Sequence, residues 1–251
     1  SISFKRGVAF INIPTTLLAM VDASVGGKTG INFGGLKNEI GVFRNANCVI
    51  IDTQFLQTLD RENILSGYAE MLKHGLIDSI GHWSELIKAD GGWRMVDGAA
   101  TIAKSIAVKQ RIVLEDPHEQ GLRKALNLGH TFGHAFESFS MQNYSHSSLH
   151  TPHSSLHTPH SPILHGYAVA YGLVCELYLS VVKTGFPVDK MRQTVRFIFD
   201  HYGRMPITCE DYPTLLELMT HDKKNTAGTI NFTLLGEIGD IRINQTATKE
   251  K

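Results

Sequence analysis

Two histidines four residues apart, His130 and His134, and a third at His165 are the side chains of this sequence best suited to gathering a metal ion. On a helix, positions i and i+4 share a face, so His130 and His134 can offer two imidazoles to one ion. Arg123 and Asn127, on neighbouring turns, would line the same wall and make it basic and polar, as an anionic substrate requires. A carboxylate would complete such a site. Glu70 is the best candidate, on a helical stretch that is otherwise apolar, with Lys73 one turn on; a carboxylate with two imidazoles suits zinc with an open fourth position.

A second chemical feature is the glycine-rich run from Asp22 to Gly30, which contains Gly27, Lys28 and Thr29 in sequence. A phosphate loop of the nucleotide-hydrolysing type needs a further glycine where this chain has Asp22, so that reading fails. What remains is local: clustered glycines let backbone amides approach an anion, and Lys28 adds a point charge. Lys37 and Asn38 follow with the same character. No Gly-x-Gly-x-x-Gly run after a strand is present, so the residues alone do not specify a complete dinucleotide fold.

The elements that must position these groups divide near residue 60. Before it, Val8 to Ile13 and Cys48 to Asp52 are short apolar runs rich in β-branched residues and read as buried strands. After it, apolar residues recur at steps of three and four. They predict helices over Ser66–Ile77, Ala99–Leu114, Lys124–Ser138, Tyr167–Lys183, Val188–Tyr202 and Tyr212–His221. Thr229–Leu235 and Ile241–Ile243, separated by Gly236 and Gly239, predict a small hairpin, and Gln245–Lys251 a frayed end. The expected architecture is therefore α/β plus all-α, with the α/β part at residues 1–60 and a helical domain at 61–251.

With 251 residues, 42% hydrophobic and 19% charged, the chain can bury a substantial core. Its formal net charge is zero, which gives no ground for expecting nucleic acid, and no apolar run was expected to approach a membrane span. Cys48, Cys175 and Cys209 form no Cys-x-x-Cys pair and fit reduced thiols of a cytoplasmic protein better than a disulfide framework. The chain begins at Ser1 without an initiator Met, as the cut end of something longer would.

One segment breaks the texture. Ser147–His153 is repeated without change as Ser154–His160, and His146, His150, His153, His157 and His160 account for five of the chain's thirteen histidines. Two prolines and little apolar content predict a mobile surface loop over 143–162 rather than a helix or a metal-gathering element.

Several blocks together carry a more specific resemblance. They are Ile13–Ala19, Val21–Gly30, Leu36–Asn38, Ser66–Glu70, Asn127–His134, His165–Gly166 and Asp222–Lys224, and in this order they resemble the 3-dehydroquinate synthase family of sugar-phosphate cyclases. The likeness covers nearly the whole chain except residues 143–162. One departure is Tyr167, where the family often carries an acidic residue. The resemblance implies the later part of an N-terminal α/β nucleotide-binding domain followed by a C-terminal helical metal domain. It further implies conversion of 3-deoxy-D-arabino-heptulosonate 7-phosphate to 3-dehydroquinate and phosphate in the shikimate pathway, with NAD reduced and regenerated in each turnover.

Carried over by the resemblance, the metal ligands are Glu70, His130 and His165, holding Zn2+ or Co2+, and His134 is released from ligation. Lys28, Lys109 and Arg123 take the substrate carboxylate and nearby oxygens. Asn38, Asn127, His134 and one of Lys223 and Lys224 take the phosphate end. Asp22, Lys37 and Lys73 supply further contacts, and Arg6 reaches a neighbouring subunit of a homodimer. Glu119 and His134 handle protons, and Lys28 and Arg123 count with them as catalytic. Thr15, Thr16 and Lys37 contact NAD. A related cyclase, a metal-dependent polyol dehydrogenase, and a non-catalytic remnant retaining only a metal-stabilised helical domain stand as alternatives, and phosphate release separates the first reading from the dehydrogenase.

Overall fold

The structure, a computed structural model, describes residues 7–33, 36–89, 98–147, 162–220 and 229–247, with side chains described except at 32–40 and 144–147. Helix α1 (Arg61–Asp78) begins where Asp60 accepts the Asn63 N–H at 2.8 Å, a capping carboxylate that satisfies one of the unpaired amides of a helix start. Every residue from Ile64 to Ile77 is buried. A helix enclosed on all sides lies at the centre of its fold. Helix α2 (Ile80–Lys88), absent from the predicted helices, restarts the chain after Ser79, whose hydroxyl accepts the His82 N–H.

Helices α3 (Ala99–Glu115), α4 (His130–Ser147), α5 (His165–Thr184), α6 (Val188–Tyr202) and α7 (Tyr212–Thr220) follow. Helix α1 packs on α2, α3 and α5, while α5 also meets α4 and α6. Buried hydroxyls tie these layers together: Tyr202 donates to the Leu65 carbonyl at 2.8 Å, and Trp83 donates to Thr194 Oγ1 at 3.0 Å. Such polar atoms are costly to bury unless paired, and here each is paired. Among the described residues α5 has the length and apolarity to cross a membrane, contrary to the sequence expectation. More than half of it is buried against the other helices, so its apolar character fills the core.

Strand β1 (Ile11–Asn12) pairs in parallel with β4 (Cys48–Val49), and β2 (Lys28–Phe33) with β3 (Leu36–Phe43) in an antiparallel hairpin. The two expected buried strands are thus shorter than the apolar runs, and Ile11, Ile13 and Ile50 are exposed. Apolar β-branched content measures the tendency to sit in a sheet, but burial needs a layer packed on that sheet, and none covers this pair among the described residues. The glycine-rich run gives way to hairpin strand at Lys28, which sequence reading had left without structure.

Strands β5 (Ile230–Glu237) and β6 (Asp240–Ala247) form the predicted C-terminal hairpin. Its turn lies at Gly239, in the left-handed region at φ 85°, while Gly236 sits inside β5. Gln245–Ala247 belong to β6 rather than to a frayed end. The helix predicted over Lys124–Ser138 is two elements: a 3-10 turn at Leu122–Asn127, then α4 from His130, divided at Gly129 with φ 80°. Helix α4 also runs through Asn143–Ser147, which had been assigned to the mobile loop. Residues 148–161 of that loop, with both tandem repeats beyond Ser147, lie outside the described residues.

Candidate metal centre and its charged wall

Glu70 is fully buried near the middle of α1. Its Oε1 lies 3.5 Å from His130 Nε2 at the start of α4 and 3.5 Å from His165 Nε2 at the start of α5. The Lys73 ammonium pairs with Oε2, while Oε1 has no hydrogen bond and is turned to the two imidazoles. Buried acceptors without hydrogen bonds are rare and point to a function. One carboxylate oxygen and two imidazole nitrogens, all within 4.8 Å of one another, make an O,N,N donor set that fits a divalent ion of the zinc type.

The second ring nitrogen of each histidine is engaged. His130 Nδ1 donates to the Leu128 carbonyl at 3.1 Å, and His165 Nδ1 donates to Glu137 Oε2 at 3.3 Å. Each bond turns Nε2 toward Glu70, where it would offer its lone pair to an ion held there. Burial alone would lower the His165 pKa, but Glu137 and Glu70 outweigh it and raise it to about 10. Without a metal ion the ring therefore carries a proton between the two carboxylates. The His134 ring lies 5.4 Å from that of His130 and 6.4 Å from that of His165, centroid to centroid. The i+4 spacing therefore places His134 beside the donor set, whose members come from three different helices.

A second group of possible ligands, Asp22, Glu70 and His74, shares Glu70. Two ammonium groups already fill it. Lys109 Nζ donates to Asp22 Oδ1 and to the Asp22 carbonyl, each at 2.6 Å, and Lys73 Nζ lies 4.0 Å from Asp22 Oδ1. Burial raises the Asp22 pKa, yet Lys109 and Lys73 prevail and bring it down to about 2. Burial likewise opposes ionisation of Glu70, but Lys73 and the imidazoles hold it well below the usual carboxylate range. His74, at the far side, is pushed down to about 3 by burial and by Lys73, and its Nδ1 shares a 2.6 Å hydrogen bond with Ser105 Oγ. The cluster is thus two carboxylates matched by two ammonium ions and a neutral imidazole.

Asp22 comes from Ala19–Ala23, a π-helical stretch. Such wide turns push side chains out of the helical register and recur at functional sites. Thr16 Oγ1 accepts the Ala19 N–H at 3.2 Å just before it, while Thr15 is exposed.

Further along the wall, Lys28 pairs with Glu119, and Asn127 Nδ2 donates to Glu119 Oε1 at 3.0 Å. Glu119 has φ 59°, an uncommon backbone for a side chain this long. Arg123 is buried, donating from Nη1 to the Pro117 carbonyl at 2.6 Å and from Nη2 to the Gly26 carbonyl at 2.8 Å. It reaches the wall from the 3-10 turn and not from the histidine helix, as the continuous-helix expectation had it. A cavity of about 410 Å³ opens beside Glu119, Asn127, Lys124 and Thr131.

The structure therefore brings together Glu70, His130 and His165, with Asp22, Lys73, Lys109 and His134 around them and Lys28, Glu119, Arg123 and Asn127 in a second group. Lys37 and Asn38 lie on β3 with side chains outside the described set, and Arg6, Lys223 and Lys224 are outside the described residues. Sequence reading gave no role to His74, Glu137 or Glu176. Glu137 stands seven residues from His130 and Glu176 eleven from His165, both spacings that return to the same helix face. That was the available signal.

Comparison with known proteins follows the same blocks. The family model described as 3-dehydroquinate synthase N-terminal matches residues 1–66, and that described as 3-dehydroquinate synthase C-terminal matches 67–149 and 150–225. The 3-dehydroquinate synthase of Parabacteroides distasonis is 56% identical over 250 residues, covering 99% of this chain and 66% of the relative.

The chain belongs to the 3-dehydroquinate synthase family. The enzyme of that name from Rhodospirillum rubrum is 42% identical, over 93% of this chain and 59% of its own length. The chain thus spans 59–66% of the length of these two curated family members. Among solved structures, 2-deoxy-scyllo-inosose synthase complexed with carbaglucose-6-phosphate, NAD+ and Co2+ superposes with TM-score 0.79 at 20% identity, over 99% of this chain and 66% of that one. The 2-epi-5-epi-valiolone synthase from Streptomyces hygroscopicus subsp. jinggangensis 5008, with NAD+ and Zn2+ bound, gives 0.76 at 24% identity and the same coverage. These likenesses show that the chain shares the fold of those two synthases.

Proposed function

We propose that this chain carries the metal and substrate machinery of a 3-dehydroquinate synthase, which eliminates phosphate from 3-deoxy-D-arabino-heptulosonate 7-phosphate and closes the carbocycle. The observation that carries this is the buried Glu70 carboxylate, whose Oε1 has no hydrogen bond and faces His130 and His165 beside a wall of lysines and an arginine, in a chain of this family. Glu70, His130 and His165 would hold Zn2+ or Co2+, which when bound acts as a Lewis acid on substrate oxygens.

The chain's own groups do the rest. Asp22, Lys73 and Lys109 set a fixed field around the donor set, because buried charges locked in pairs need no reorganisation when substrate charge develops. Lys28, released from Glu119, would meet an anionic end of the substrate, and Arg123 borders the same wall. Glu119, held by Asn127 and by its own constrained backbone, and His134, beside the donor set, are placed to move protons. Arg6, Lys37, Asn38, Lys223 and Lys224 belong to the proposal through the family alone.

The NAD part rests on the family too. Thr15 is exposed and the Thr16 hydroxyl caps its own turn, so the described residues make only part of a dinucleotide cradle. The same reading includes residues 1–60 as the later part of an α/β nucleotide-binding domain, residues 61–251 as the metal and substrate domain, a homodimer, and a cytoplasmic setting.

The test is titration of NAD into the zinc-loaded chain, followed in the same sample by phosphate release from the heptulosonate phosphate. Binding with stoichiometric phosphate release supports the synthase. Oxidation of a polyol without phosphate release would assign the site to a dehydrogenase. Zinc binding with neither NAD binding nor phosphate release would leave only the metal domain of the reading standing.

A further inference from the structure

Glu176 is fully buried in α5, three helical turns beyond His165. Its Oε2 accepts the Gly129 N–H at 2.6 Å, and its Oε1 accepts the Thr131 N–H at 3.0 Å. These two amides flank His130. They are among the amides that the first turn of α4 leaves without helical partners, and they carry the positive end of its dipole, which is where a buried anion finds compensation.

The backbones of the two histidine helices touch at the same place. A Cβ added at Gly172 of α5 would lie 1.9 Å from the Gly129 carbonyl oxygen, so only glycine allows this approach. At its other end α5 is seated on α1: the Gly166 N–H donates to Ser66 Oγ at 3.1 Å, one turn before Glu70. Helix α5 is therefore the common frame of the centre. It carries His165 itself, rests on the helix that carries Glu70, and holds the helix start that carries His130.

Resting on the metal reading above, we propose that Glu176 is a positioning residue of the metal centre. Its carboxylate, by holding the Gly129 and Thr131 amides, sets where the His130 imidazole stands relative to His165 and Glu70. A carboxylate is suited to this because both of its oxygens accept. A glutamine of the same shape presents an amide N–H to one of the two backbone N–H groups, and an aspartate falls a methylene short.

The test is Zn2+ affinity, measured by competition with a chromogenic chelator, on the full chain and on E176Q, E176D and T194V. Thr194 pairs with Trp83 in the core away from the centre, so T194V reports what a loss of buried hydrogen bonding does by itself. The expected result is Zn2+ affinity weaker by about 10–100-fold in E176Q, the usual effect of removing an outer partner of a ligating histidine, with a changed Co2+ absorption spectrum. T194V is expected to melt lower yet bind Zn2+ like the unaltered chain.

A folded E176Q that binds Zn2+ as tightly as the unaltered chain, or a loss matched by T194V at equal melting temperature, overturns the proposal and leaves the metal reading intact. Should E176Q fail to fold, E176D decides: weakened Zn2+ binding supports the positioning role, and unchanged binding overturns it. An unaltered chain that binds no Zn2+ brings down the metal reading and this proposal together.

Discussion

The two charged groups of the site are built in opposite ways. Around Glu70, the carboxylate, Lys73 and His74 are at most 1% exposed and lie on one enclosed helix. Around Glu119, the partner Lys28 is 47% exposed on a hairpin strand, and Ile31, Val42 and Phe43 of the same hairpin face solvent. The first group is fixed before any ligand arrives; the second can rearrange at little cost. The contrast fits the division of work proposed above, in which geometry is held rigid where an ion would sit and left adjustable where substrate would enter and leave.

The largest effect that would sharpen this contrast is expected from Glu70→Ala. It removes a proposed ligand and leaves the buried Lys73 charge with only the Asp22 carboxylate 4.0 Å away, so Zn2+ binding should vanish and stability should fall by about 3–5 kcal/mol, the usual result of breaking a buried ion pair. Calorimetric Zn2+ titration and urea unfolding read the two effects. Retained stability would mean that Lys73 finds water or another partner, and that the first group is less rigid than its burial implies.

Metal loading should act next. At a free Zn2+ concentration about a thousand times the dissociation constant, binding to the folded chain alone adds about 4 kcal/mol, seen as a rise in melting temperature that a chelator reverses. The chelated chain then exposes the His74 contribution. His74 ionises near pH 6.5 when unfolded but is held to about 3 in the fold. The unfolded chain therefore takes up the proton first, and stability is present above about pH 6.5 and lost as pH falls toward 3. His74→Asn should flatten the melting temperature between roughly pH 6 and pH 4. An unchanged slope would assign the acid loss to other groups.

On the exposed side, Lys28→Met should change stability by no more than about 0.5 kcal/mol, as surface pairs do, while abolishing most phosphate release. A large stability loss there would erase the distinction between the two groups. The smallest test uses the thiols. Burial pushes Cys175 up to about 12, whereas Cys48 and Cys209 are exposed, so a disulfide reagent near pH 8 should label two thiols promptly and the third only on unfolding.

Most of the helices were readable because apolar residues at three- and four-residue steps encode a buried face, and Val188–Tyr202 was placed to the residue. Helix α2 is short and follows α1 after a single residue, so its own three-residue steps at Ile80, Trp83 and Leu86 were not separated from the pattern before them. The break at Gly129 was missed because Lys124–Ser138 keeps its periodicity across it, while the left-handed backbone and the Gly172 contact that require the glycine are spatial facts. The strand runs were recognisable as sheet-forming, but their exposure depends on what packs over them.

The kinds of side chain at the centre, one carboxylate and several imidazoles among cations, follow from residue identity and order along the chain. Their pairing does not. His130 and His134 are neighbours by helix spacing, yet the donor set at Glu70 is completed by His165, because three helices cross there and Glu137 and Glu176 hold the rings and amides in place. Local spacing is set by the covalent chain and 3.6 residues per turn. Which faces meet, and which lysines lose their water, is decided only when residues about sixty positions or more apart pack together, as Glu70 does with His130 and Asp22 with Lys109.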